Sequence, residues 1–125
     1  MESLSNIPDH TTMGELHVVK GTLDLLVLKA LETTAMHGFE VTTWIEQSSG
    51  GSLEFDDSAV YHALYRLEKR GLIAADWGVT ENNRRARYYT LLEEGRTHLA
   101  EETDRLVRFA DTMLGILTSP GREEA

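Results

Sequence analysis

The sequence predicts a mainly α fold with a small β hairpin (α+β), in the order helix, helix, helix, hairpin, long C-terminal helix. Apolar residues recur at helical spacing in four separate segments, and two short β-prone runs flank a polar turn containing Asn82 and Asn83. The chain has 125 residues and is 41% hydrophobic, enough for one domain with a real core and too little for two.

The elements follow in order. Residues 1–13 are polar and aperiodic, and are expected to form a flexible arm. Over 22–34, Leu23, Leu26, Val27, Ala30 and Leu31 fall in one arc of a helix, while Leu25 and Leu28 lie on the other side. A helix with two apolar faces usually has two neighbours. Gly38 breaks the pattern, and residues 39–48 resume it with Phe39, Val41, Trp44 and Ile45. A turn at Ser48, Ser49, Gly50 and Gly51 leads to a brief extended Leu53–Phe55 segment. A third helix over 58–70 is expected to take an N-terminal cap from the Asp56 or Asp57 carboxylate and to stop at Gly71. Residues 72–77 and 86–92 read as strands. The last helix spans 93–117, and 118–125 form a flexible tail.

The chain has no cysteine, which excludes disulfides, thiolate zinc sites and a cysteine nucleophile. No stretch approaches about 18 consecutive apolar residues, and the N-terminus lacks the basic-then-apolar order of a secretory signal. A soluble, cytoplasmic protein without membrane contact is expected. The net charge of −9 taken alone opposes nucleic-acid binding. Its distribution points the other way: residues 58–96 hold seven basic and five acidic side chains, against five basic and sixteen acidic elsewhere. Basic charge gathered on one stretch suits a local polyanion site.

On the third helix, Val60, Ala63, Leu64 and Leu67 form a buried face. Ser58, His62, Tyr65 and Lys69 lie opposite, flanked by Tyr61 and Arg66. This hydrogen-bonding set fits base edges and phosphates in a major groove; it fits an ordinary solvated face equally well. The hairpin favours the first reading, because Arg84, Arg85 and Arg87 cluster beside Tyr88 and Tyr89. Guanidiniums so close repel one another unless an anion screens them, and a phosphate backbone is such an anion. The competing reading is an edge strand protected from aggregation by its charge.

On the last helix, Leu99, Leu106 and Met113 recur every seven residues, with Thr103, Ala110 and Leu117 at the complementary heptad spacing and Phe109 widening the stripe. Leu25, Leu28, Leu99, Leu106, Phe109, Ala110, Met113 and Leu117 are therefore the expected dimer contacts, unless the helix folds back on its own core. His10, His17, His37, His62 and His98 have no metal-ligand spacing, and His37 reads as a local cap or hydrogen-bond donor. No nucleophile, base and orienter set is visible, so neither an enzyme nor a cofactor is expected.

The segments LDLLVLKAL (23–31), MHGFEV (36–41), SGGSLEFDDSAVYHALYRLEKRGLI (49–73), Trp77-Gly78 and RRARYYTLLEEG (84–95) together resemble PadR-like regulators over about residues 16–117. The resemblance implies a winged helix-turn-helix over 14–92 and a homodimer made through the 93–117 helix. It implies that the third helix enters the major groove, that the Arg-rich wing touches flanking DNA, and that the protein is a repressor. Tyr61 matches the family's recognition-segment tyrosine, and Arg84, Arg85, Arg87 and Tyr88 match its wing. Ala59 and His62 depart from a common threonine and proline. Some relatives hold planar drugs with a tryptophan on the last helix, which this chain lacks there; Trp44 and Trp77 read as core or hinge residues. The expectation is a sequence-specific DNA-binding transcriptional regulator, released from its operator by a ligand or stress signal. The alternatives are a winged helix used for protein recognition and a small-molecule-binding protein without DNA binding.

Overall fold

The computed structural model describes residues 21–121. The arm expected over 1–13, His10, His17 and the last four residues of the tail lie outside the described residues. In chain order the elements are α1 (Thr22–Ala30), β1 (Met36–His37), α2 (Gly38–Ser48), α3 (Asp57–Lys69), β2 (Ile73–Val79), β3 (Arg85–Leu91) and α4 (Glu93–Leu117).

The core forms where the apolar arcs of the helices meet one face of the sheet. Val27, Leu28, Ala30 and Leu31 of the first segment, Val41 and Ile45 of α2, and Val60, Ala63, Leu64 and Leu67 of α3 are all nearly inaccessible. Leu72, Ile73, Tyr89 and Leu91 close it from the hairpin side, and Leu99 enters from α4. Fully burying one such side chain contributes about 1.5–3 kcal/mol, so these positions fix how α3 and the hairpin lie against each other. Helix α1 ends four residues earlier than its apolar pattern suggests. The Leu31 amide still donates to the Val27 and Leu28 carbonyls, and the exposed, β-branched Thr33 and Thr34 fall outside the helix.

Two further expectations are corrected. The hairpin is part of a three-stranded antiparallel sheet in the order β1-β3-β2. Met36 and His37 pair with Tyr89 and Tyr88, and two residues are too few to show the alternation that marks a strand. At the start of α3, Asp56 takes the extended backbone of a cap, but neither its side chain nor that of Asp57 caps an amide. The Asp56 backbone carbonyl closes the first turn by accepting from Ala59 and Val60, and the Asp57 carboxylate acts only through the helix dipole.

The β2–β3 register runs from Ile73 opposite Leu91 to Val79 opposite Arg85. Directly opposed residues share a face, so Ala75, Trp77 and Val79 lie with Arg85, Arg87 and Tyr89, while Asp76 and Gly78 lie with Ala86 and Tyr88. Between the strands Asn83 adopts a left-handed φ of 62°, which asparagine tolerates. The Thr80 hydroxyl accepts from the Asn82 and Arg84 amides, each at 3.2 Å.

Helix α4 is seated by Gly95. A Cβ there would lie 2.1 Å from the Leu72 carbonyl oxygen, the same oxygen that accepts the Leu92 amide at 3.0 Å. Beyond Leu99 the helix loses this cover, and Phe109, Met113, Leu114, Ile116 and Leu117 are all exposed.

Candidate nucleic-acid interface

The apolar periodicity of α3 turns Ser58, Tyr61, His62, Tyr65, Arg66 and Lys69 outward, and all six are exposed. Three of them are held by neighbours. The Tyr61 ring lies over Gly38 at the start of α2, where a Cβ would come within 2.4 Å of it; the glycine of the MHG segment thus fixes where that ring rests. The Lys69 ammonium sits 5.5 Å from the centre of the Tyr65 ring. The Arg66 guanidinium donates to Asp24 of α1 at 2.6 Å, and this hydrogen bond raises its pKa further above the ordinary arginine value. Arg66 is therefore a charge already matched within the chain, by a partner 42 residues distant that no local pattern announces.

The hairpin separates its arginines. Arg87 donates to Glu68 of α3 at 2.9 Å and stands over the Tyr89 ring at 5.7 Å, so it braces the strand against the helix. Arg84 sits at the end of the turn, and the Arg85 guanidinium lies 4.4 Å above the Trp77 ring. Among the described residues neither Arg84 nor Arg85 forms an ion pair, and neither does Lys69. Tyr88 occupies the opposite face, half-buried. Its ring covers Gly78, where a Cβ would come within 2.7 Å, and meets His37 edge-on at 5.3 Å. It braces the hairpin on that face. Trp77, read from sequence as a core or hinge residue, is 58% exposed.

His37 is a cap: its Nδ1 accepts the Glu40 amide at 3.3 Å while the Glu40 carboxylate accepts the His37 amide at 3.1 Å. No group of three or more His, Cys, Asp or Glu side chains among the described residues could hold a metal ion. No described helix is long and apolar enough to cross a membrane.

Of the eight expected dimer contacts, Leu28 and Leu99 belong chiefly to the chain's own core. Helix α1 packs against α2, α3 and α4, so the chain's own last helix covers part of the face expected to meet a second chain. Leu25, Leu106 and Phe109, together with Arg70 and His98, line an open groove of about 630 Å³ between α1 and α4. Ala110 is half-buried, while Met113 and Leu117 lie exposed on the free part of α4.

The geometry is that of a helix-turn-helix, α2 and α3, with β2 and β3 as its wing. The transcriptional regulator PadR-like family matches residues 27–101. The chain belongs to this family. Solved PadR structures share its fold. A PadR family transcriptional regulator from Eggerthella lenta is 23% identical, with 92% of this chain and 98% of that one covered and a TM-score of 0.75. One from Clostridium difficile is 25% identical, with 78% and 99% covered and a TM-score of 0.68. Bacillus subtilis PadR, solved in complex with operator DNA, is 21% identical over 66% of this chain and 47% of that one, with a TM-score of 0.59.

Proposed function

We propose that this PadR-like protein is a sequence-specific DNA-binding regulator that acts as a homodimer and represses until a ligand or stress signal releases it. The winged unit (14–92) binds the duplex, and the 93–117 helix joins two chains. One observation carries the reading: in a chain of net charge −9, Lys69 on the outward face of α3 and Arg84 and Arg85 on the wing lack a carboxylate partner among the described residues. Phosphate oxygens would supply the missing partner. Ser58, Tyr61, His62 and Tyr65 are positioned on that face to read base edges in a major groove, as Arg84 and Arg85 approach the flanking backbone. Arg66 and Arg87 reach DNA only by leaving Asp24 and Glu68. The uncovered apolar end of α4 supports dimerisation, because stripes of this kind on soluble proteins are usually covered by a partner.

Selection of bound duplexes from random DNA tests the reading. It should enrich a pseudo-palindrome with half-sites about one helical turn apart; recovery of unenriched DNA would contradict it. Retention on heparin separates this from a winged helix that binds only protein. The groove between α1 and α4, apolar at Leu25, Leu106 and Phe109 and lined by charges of both signs at Arg70, Arg105, Asp24 and Glu102, is the site we assign to an effector. A compound bound there should raise the unfolding midpoint and weaken duplex binding together.

A further inference from the structure

We propose that Trp77 is a positioning residue for Arg85, holding the guanidinium ready for duplex DNA without consuming its hydrogen-bond donors. The inference rests on the DNA-binding reading above.

Three arginines of this interface are held in two different ways. Arg66 and Arg87 are held by carboxylates, Asp24 and Glu68, at 2.6 and 2.9 Å. Such a pair neutralises the charge and occupies the N–H groups that a phosphate would need. Arg85 is held by the face of an indole, 4.4 Å from the ring. Stacking restricts the side chain while its charge remains and its five in-plane donors stay open to acceptors. The platform is itself supported from the strand opposite: Trp77 pairs in register with Arg87, whose guanidinium is tied to α3 through Glu68. A fixed chain of contacts thus runs from the recognition helix through Glu68, Arg87 and Trp77 to Arg85.

The exposure of Trp77 agrees with this role. At 58% exposure the indole is not a core residue, and the next residue on its face, Val79, is 61% exposed. What the indole touches instead is a cation. An arginine ordered before binding loses less rotamer freedom when it meets DNA, so the ring increases affinity without contacting the duplex itself.

The test compares duplex affinity at low salt for the parent, R85A, W77F, W77L and the R85A/W77L double variant, with the unfolding midpoint of each. Leucine keeps apolar bulk at position 77 but has no π face; phenylalanine keeps a ring. W77L is expected to bind about two- to fivefold more weakly than the parent, with W77F within about twofold. In the R85A background, W77L should cause no further loss, which a general structural role of Trp77 would not produce. Additive losses, or a W77L protein that binds like the parent while R85A is weakened, would overturn the role of Trp77 and leave DNA binding standing. A parent that binds no duplex would overturn both.

Discussion

The base and the tip of the β2–β3 hairpin belong to the same two strands and satisfy different partners. At the base, Ile73, Tyr89 and Leu91 are buried, Arg87 is paired with Glu68, and α4 is pressed onto the Leu72 carbonyl through Gly95. At the tip, Trp77 and Val79 are exposed, and Arg84 and Arg85 have no carboxylate partner among the described residues. A strand pair that closes its charges and apolar groups at one end and leaves both open at the other has a packed end and an open end, and the proposed binding role falls on the open one. Helix α4 repeats the division: Gly95 and Leu99 are buried, while Phe109 to Leu117 are largely uncovered.

The packed end is most sensitive at Gly95. Alanine there must displace the Leu72 backbone, a strain of about 3 kcal/mol, offset by about 1 kcal/mol of improved helix propensity. Gly95→Ala is therefore expected to lower stability by about 2 kcal/mol in urea unfolding; no loss would mean that α4 is not seated as described. At the free end of the same helix, Phe109→Asp with Leu117→Asp should leave each winged unit folded but reduce the sedimenting mass from two chains to one. A parent that sediments as one chain would contradict that expectation.

A smaller effect separates base from tip by pH. Burial pushes the Tyr89 phenol above its usual 10.0, with Arg87 opposing. Below pH 10 the group is neutral in both folded and unfolded chains. As the pH rises beyond the unfolded value the unfolded chain releases its proton first, so stability falls. Tyr89→Phe should flatten this alkaline loss in urea midpoints measured between pH 9 and 11; an unchanged slope would place Tyr89 in solvent.

What is legible in the sequence is what repeats locally. The α3 faces follow from Val60, Ala63, Leu64 and Leu67 at helical spacing, and α4 from its heptads. What is not legible depends on distant partners. Asp24 with Arg66, and Glu68 with Arg87, join residues 42 and 19 apart, so from sequence Arg66, Arg84, Arg85 and Arg87 read as uniformly available when Arg66 and Arg87 are committed. Leu28 reads as needing a second chain because nothing in its neighbourhood reveals that α4 packs there. Strand β1 is too short to have a period. Trp77 reads as core or hinge by residue type, and only its exposure and the guanidinium of the diagonal Arg85 over its ring show that it is not core. Gly38 and Gly78 carry a readable signal as glycines in otherwise structured segments, where Tyr61 and Tyr88 approach closely.

The salt dependence of duplex binding separates the tip from the base, measured for the parent, the R84A/R85A double variant and R87A. If the tip meets phosphate and the base does not, the plot of log affinity against log salt should become shallower in R84A/R85A, by about 0.9 for each phosphate that the variant no longer neutralises. It should keep the parent slope in R87A, whose exposed ion pair contributes at most about 1 kcal/mol to the fold. An unchanged slope in R84A/R85A, or an equal drop in R87A, would show that the hairpin has no separate binding end.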